Sequence, residues 1–365
     1  MKRHLILLLS LLGPGIFLAQ NTDQKLRQFR KTVDSIVMNK MDQYAIPGLA
    51  IGVVQNDAIL YTKGYGVRKI GEDGLVNEKS IFHTASISKL FTAMAVMHLV
   101  DQGKLSIDDK LLDIIPNLNH VDERIKETTI KQLLNHTSGL PDIKNYHWGN
   151  NNQAESSLRE YVLGLKLKTL SAPSSEFHYS NLAYDILGYV IEVVAGVTFE
   201  DYVETHVLHP SGMTHSDFRY FRVPETARVA PHSRRWSSQK IYVRKTYPYT
   251  REHAPSSTLN ASSEDLAKWM VTFLKEVNNE ATSSLYADML VPSSVVYPNI
   301  GLGFQLYEIE GYKAVGHFGG DQGFRSFLMM LPEQNIGLVV LGNCDYEEDY
   351  RQEIIKPIAR LMLKL

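Results

Sequence analysis

Ser86-Ile87-Ser88-Lys89-Leu90-Phe91-Thr92-Ala93-Met94-Ala95-Val96-Met97-His98-Leu99-Val100 is the stretch on which the reading of this chain turns. From Leu90 to Val100 it is almost wholly apolar, and Leu90, Ala93, Met94 and Met97 fall on one face at helical spacing. The spacing predicts a helix set into a core. Ser86 and Lys89 stand three apart at its start, so both side chains leave the first turn on the same side. An amine so placed can act on the proton of the hydroxyl. The N–H of Ser86, in that first turn, has no acceptor inside the helix and is free to donate outward. A nucleophile, a base and half of an oxyanion hole can thus come from four residues. The same tetrapeptide also fits a polar helix start with a solvated lysine, and spacing alone leaves both readings open.

The rest of the chain narrows the choice. Its 365 residues are 44% hydrophobic and 21% charged, a globular composition with room for a full core in about two domains or one composite. The net charge of −2 makes no general case for nucleic acid or an anionic membrane as partner. Lys2 and Arg3, the apolar segment Leu5 to Leu12 and the small-residue site at Phe17-Leu18-Ala19 predict a signal peptide over residues 1–19, hence export to the periplasm or beyond. That segment is short for a membrane span and is broken at Gly13-Pro14-Gly15, so no span is expected after its removal. Cys344 is the single cysteine, which excludes an intramolecular disulfide. It follows the apolar run Gly337 to Gly342 and is expected to be a buried or half-buried thiol rather than a catalytic one.

Helical spacing at Leu26, Phe29, Val33, Ile36 and Val37 predicts a first helix over Thr22 to Tyr44. Leu49 to Val54 and Ala58 to Thr62, joined at Asn56-Asp57, predict a hairpin. From Leu105 the pattern turns helical: 107–115, 130–134, 158–165, 181–195 closed by Gly196, 199–208 closed by Pro210, and 266–277 opened by a Ser262 cap with Asp265 three residues on. Strand patterning returns at Gly303 to Ile309, Tyr312 to His317, Arg325 to Leu331 and Ile336 to Leu341. A last helix is expected over Glu347 to Leu365, with Ile354, Ile355, Ile358, Leu361 and Met362 on one face. The expected class is α+β: an antiparallel sheet built from both chain ends (20–104 and 300–365) with flanking terminal helices, plus a mainly helical insert over 105–299. A site is expected in the cleft between them.

Two further stretches carry groups suited to that cleft. Tyr179-Ser180-Asn181 precedes the apolar helix that starts at Leu182, where a phenol can relay a proton and a carboxamide can both donate and accept. An aromatic packing residue followed by an Asn cap fits the same letters. His317-Phe318-Gly319-Gly320 lies at the end of a predicted strand, where Gly319 and Gly320 let backbone approach a ligand and present the Gly320 N–H. A glycine turn beside a satisfied histidine fits there too.

Taken in order, Ser-x-x-Lys, Tyr-x-Asn and His-x-Gly resemble the serine penicillin-recognising family. The nearest branch is that of class C β-lactamases and the related D-Ala-D-Ala carboxypeptidases, D-aminopeptidases and esterases. The resemblance takes in Asn135-His136-Thr137-Ser138-Gly139-Leu140-Pro141, Phe177 to Tyr184 with Leu187-Gly188, Pro210 to Thr214, Gly316 to Phe324, Leu331-Pro332 and Val340 to Asn343. It implies a β-lactamase/transpeptidase-like fold and an exported bacterial hydrolase that needs no cofactor and no metal. Ser86 would be acylated, Lys89 and Tyr179 would share the proton traffic, and Asn181 would orient the substrate amide. His317 would take the place of the third motif's Lys or His, and the N–H groups of Ser86 and Gly320 would form the oxyanion hole. A neutral Lys89 or an ionised Tyr179 needs a lowered pKa, which desolvation favours for the one and a nearby cation for the other.

Where β-lactamases of this branch carry Lys-Thr-Gly, this chain has His317-Phe318-Gly319. A permanent cation gives way to a group largely neutral at pH 7, which weakens any grip on a substrate carboxylate. His in that position resembles the peptidase and esterase members more, so peptide or ester substrates are expected ahead of β-lactams. The reading of another class is a penicillin-binding sensor or a non-catalytic binding protein on the same fold. Phe318 faces the cleft or packs into the sheet. The basic, aromatic-rich segment Arg219 to Arg251 is either a solvated excursion or a lip that draws an anionic substrate or the cell envelope. His206 and His209 lack a third ligand at useful spacing and are read as helix-end residues. His136 and His178 are read as supporting groups beside the motifs.

Overall fold

Alternation along two strands decides where this chain puts its sheet. In Gly48–Gln55, Leu49, Ile51 and Val53 face one core while Ala50 and Val54 face another. In Ile336–Gly342, Leu338 and Val340 face the first and Val339 and Leu341 the second. A strand buried on both faces must be an inner strand with a layer on either side. The computed structural model, which describes residues 14–279, 285–347 and 350–365 with side chains from Asp23 onward, shows that arrangement.

The elements that build it are α1 (Pro14–Tyr44), β1 (Gly48–Gln55), β2 (Ala58–Gly66), β3 (Phe82–His83), α2 (Ser88–Asp101), α3 (Asn181–Ala195), β4 (His232–Arg234), β5 (Ile241–Val243), β6 (Asn260–Ala261), α4 (Ser263–Val277), β7 (Gln305–Ile309), β8 (Tyr312–Asp321), β9 (Phe324–Leu331), β10 (Ile336–Gly342) and α5 (Tyr350–Met362). Short helices fill much of the span between α2 and α4. Six strands pair antiparallel in the order β2-β1-β10-β9-β8-β7, so both ends of the chain complete one sheet. Asn56 and Asp57 close the first hairpin with φ of 50° and 63°, the backbone a two-residue turn demands.

Each face of the sheet carries a helical layer. On one side α1 and α5 cover Leu49, Ile51, Val340 and their neighbours, tied together where Lys40 meets Glu353 at 2.5 Å and Tyr44 donates to it at 2.7 Å. On the other, α4 settles onto β1, where a Cβ on Gly52 would lie 2.8 Å from the Ser263 carbonyl oxygen. The α4 cap is as read: the Ser262 side chain accepts from the Asp265 N–H. Behind α4 lies α2, buried on every side from Ser88 to Met97, which is why its apolar run leaves no polar face. Cys344, at the end of β10, is fully buried with its Sγ 3.9 Å from the Tyr350 hydroxyl, and burial pushes its thiol up to about 12.

Several local expectations need correction. Only Leu111–Ile114 of the expected 107–115 helix is helical, and 199–208 splits into Phe199–Val203 and a wider turn over Glu204–Leu208. The strand expected to stop at His317 continues through both glycines to Asp321, and the turn falls at Gln322-Gly323. The strand expected from Gly303 starts at Gln305. Gly303 itself turns at φ 87°, where a Cβ would press on Ala93 at 2.5 Å. Two small ladders, β3 with β6 and β4 with β5, lie outside the expected strands. The charged start and apolar segment of the expected signal peptide lie outside the described residues, while the backbone around Ala19 belongs to α1. Among the described residues no single helix is long and apolar enough to cross a membrane.

Candidate active site

Ser86 sits in a tight turn, Ala85–Ile87, two residues ahead of the start of α2 at Ser88 rather than in its first α-helical turn. Ala85 takes φ 50°, a left-handed conformation costing roughly 1–2 kcal/mol for a residue with a Cβ. Its neighbours hold it there. Ser88 Oγ donates to the Ala85 carbonyl (2.6 Å) and accepts from Leu259 N (2.9 Å), while Ser326 Oγ and Leu259 grip Thr84. The result is a half-buried hydroxyl on a strained, fixed corner.

Lys89 is fully buried and reaches three oxygens: Ser86 Oγ at 3.0 Å, Asn181 Oδ1 at 2.5 Å and the Ser256 carbonyl at 2.7 Å. Burial lowers its ammonium from 10.5 to about 8, against the pull of Asp185, Asp321 and Asp142. In the neutral form two N–H groups can serve Asn181 and Ser256 while the lone pair faces the serine.

Burial raises the Tyr179 phenol well above its ordinary value, outweighing the nearby Ser86 hydroxyl, which lowers it. The Lys89 Nζ lies 5.1 Å from the ring centroid. Of the two groups expected to share the proton, the amine is thus tuned toward a base and the phenol stays protonated. His136, at φ 59°, packs its ring tilted at 32° against Tyr179 with 4.4 Å between centroids and takes the Ser180 N–H on Nδ1 at 3.1 Å. Ser180, not Asn181, caps α3. Asn181 is the first helical residue, and its carboxamide is taken up at both ends: Oδ1 by Lys89, Nδ2 by Asp142 at 3.0 Å.

The third stretch arrives on β8. His317 is buried, its Nδ1 against the Phe318 carbonyl at 2.5 Å and its Nε2 without a partner among the described residues. Burial, reinforced by Lys89, takes its pKa down to about 3, so it is neutral at any working pH. Phe318 packs into the sheet: it stacks on Phe327 at 3.8 Å, with the Arg351 guanidinium 5.1 Å from its ring. β7 pairs with β8 only as far as Gly316, and the Ser86 turn lies against the edge beyond it. Gly319 permits that approach, since a Cβ there would stand 2.3 Å from the Thr84 carbonyl and 2.1 Å from Ser326 Oγ. Gly320 is exposed next to it. Gly319→Ala is expected to push turn and strand apart, costing about 1–3 kcal/mol and slowing acylation. Denaturant melts alongside the rate of covalent labelling would check it.

Sequence reading missed the groups behind Lys89. Asp185, on α3, meets His253 Nδ1 at 2.7 Å with both side chains buried. His253 opens the segment whose Pro255 and Ser256 carbonyls take Thr92 Oγ1 (2.6 Å) and Lys89. Gly188 leaves room for it, as a Cβ would overlap Pro255 at 2.0 Å. A lone acid inside the apolar run Leu182 to Ile191 was the available signal for Asp185. A backbone carbonyl such as that of Ser256 leaves none. Because Asp185 favours the Lys89 ammonium, Asp185→Asn is expected to move the acid limb of the pH–rate profile to lower pH. An unmoved limb would leave the pair a purely structural role.

Part of the basic segment is neutralised by carboxylates of the fold. Arg219 meets Asp201, Glu204 and Asp217, Arg234 meets Glu347, and Arg251 meets Glu192 and Glu200. His206 stacks on His98 at 4.7 Å and His209 faces Glu204 at 3.5 Å.

Comparison with known proteins identifies a family and a shared fold. A family model described as Beta-lactamase matches residues 33–361. The Protein flp of Staphylococcus aureus (strain MW2) is 27% identical over 325 residues, 87% of this chain and 64% of the relative. Penicillin-binding protein 4* of Bacillus subtilis (strain 168) is 22% identical over 356 residues, 91% of this chain and 76% of that one. The chain therefore spans about 64% of the length of the Staphylococcus aureus relatives it matches. The octameric penicillin-binding protein homologue from Pyrococcus abyssi superposes with a TM-score of 0.76 at 25% identity, covering 92% of this chain and 77% of that one. A class C beta-lactamase does so with a TM-score of 0.75 at 19% identity, covering 91% and 96%, a likeness of fold.

Proposed function

This chain belongs to the beta-lactamase family, and on that premise we propose that it is an exported serine hydrolase acting on amide or ester bonds through an acyl-enzyme at Ser86. The observation that carries the reading is the buried Lys89 amine 3.0 Å from the Ser86 hydroxyl. Neutral Lys89 takes the proton as Ser86 Oγ attacks the substrate carbonyl. The N–H groups of Ser86 and Gly320 receive the developing oxyanion. Tyr179, protonated at working pH, gives its proton to the departing nitrogen or oxygen and recovers one from Lys89. Water then attacks the acyl carbon, its proton returns through the same pair, and the acid is released with Ser86 restored. Asn181 holds Lys89 in register, and its carboxamide meets a substrate amide once it leaves Asp142. Residues 105–299 act as the insert that brings Tyr179 and Asn181 to the sheet.

A D-alanyl-peptide-like or ester substrate ranks ahead of a β-lactam, because His317, neutral where β-lactamases of the branch carry a cation, resembles the peptidase and esterase members at that position. A panel of a D-Ala-D-Ala peptide, nitrocefin and short p-nitrophenyl esters, with Ser86→Ala as control, tests the ranking; nitrocefin as the best substrate reverses it. Mass spectrometry after a fluorophosphonate or a penicillin separates the classes. An adduct with turnover supports the hydrolase, an adduct without turnover makes the protein a sensor, and no adduct removes both.

A further inference from the structure

The cations of the segment Arg219 to Arg251 fall into two sets. Those named above are held by carboxylates of the fold, and Arg244 likewise approaches Asp345 at 3.6 Å. Arg228 and Lys245 meet no carboxylate among the described residues. They share a wall with Arg68, which follows β2 and also meets none: its Nη1 donates to the Leu75 carbonyl at 2.9 Å. These three cations line one cleft of about 580 Å³, a volume suited to a small ligand. Of the two acids in its lining, Glu72 is taken by Lys69, which leaves only Glu225.

The cleft also has a fixed recognition element. The Arg228 guanidinium lies 5.1 Å from the Tyr220 ring centroid and 5.9 Å from that of Tyr247, and its Nη1 donates to the Tyr220 carbonyl at 3.2 Å. A guanidinium held on aromatic faces has already lost much of its freedom, and its planar fork matches the paired oxygens of a carboxylate or phosphate. Lys245, exposed on the rim, adds a mobile point charge. None of Ser86, Lys89, Tyr179 or His317 lines this space. Tyr247 closes one side of the cleft, its ring 6.0 Å from that of His83 and 5.6 Å from that of Phe324.

We infer that this cleft is a second binding site, separate from the reactive serine, for a small ligand bearing carboxylate or phosphate groups. Two anionic probes, citrate and tripolyphosphate, are titrated into the full chain by calorimetry at low salt. Saturable binding is expected for at least one, and the tighter probe assigns the source of the anion. The double variant Arg228→Gln/Lys245→Gln is expected to bind about tenfold more weakly or worse, since each removed contact is charge-assisted. A control pair with the same charge change, Arg235→Gln/Lys240→Gln, lies outside the lining and is expected to bind as the native chain does. Ser86→Ala is expected to bind normally, so this result stands apart from the hydrolase reading. The inference is overturned if neither probe binds, if both double variants weaken binding equally, or if Ser86→Ala abolishes it.

Discussion

Ser86→Ala is expected to end covalent capture by fluorophosphonate and penicillin and to reduce turnover of any acyl substrate by roughly 10⁴-fold or more. The loss should be that large because nothing nearby can replace the hydroxyl. Ser88, the other hydroxyl of the motif, is fully buried and committed to Ala85 and Leu259. The fold should survive, since Ser86 Oγ supports no element and its hydrogen-bond partner among the described residues is Lys89. Intact-mass spectra together with a thermal melt would check both halves. Residual labelling at native speed would place the nucleophile elsewhere.

Lys89→Arg is the second large effect, a loss of about 10²–10⁴-fold. Arginine keeps a cation in place but cannot become the neutral base. Its planar head also has no room where three oxygens crowd one amine. The pH profile of the native protein carries the sign. A base with a pKa of about 8 is competent only when deprotonated, so the acylation rate should climb about tenfold per pH unit below 8 and level off above it. Lys89→Arg should lack that limb. If the native rate is flat from pH 6 to 9, Lys89 is not the proton acceptor.

Most of the frame could be read from the letters because it follows from periodicity. Leu49, Ile51 and Val53 alternate with Ala50 and Val54, and the helix Asn181–Ala195 has its cap and its terminating glycine in plain view. β3 and β6 are two residues each, too short to show a period. The end of β8 was misplaced because Gly319 and Gly320 carry turn chemistry. Here they serve the close approach of another segment, which only the folded chain reveals. The same limit applies at the site. Ser86, Lys89, Tyr179 and His317 were legible as chemistry, whereas Asp142, Asp185 and the Ser256 carbonyl matter through contacts across long sequence separations. The neutralisation of Arg219 and Arg251 was hidden for that reason as well.

The solitary thiol at position 344 makes the protein its own stopwatch. With the sulfur sealed under Tyr350 and its proton held to about pH 12, an alkylating reagent can react only while the C-terminal helix lifts from the sheet. The rate of iodoacetamide capture therefore counts openings of that layer, one event per molecule, with no second thiol to confuse the tally. An inhibitor bound at the far face of the sheet would slow the clock only if the two faces open together.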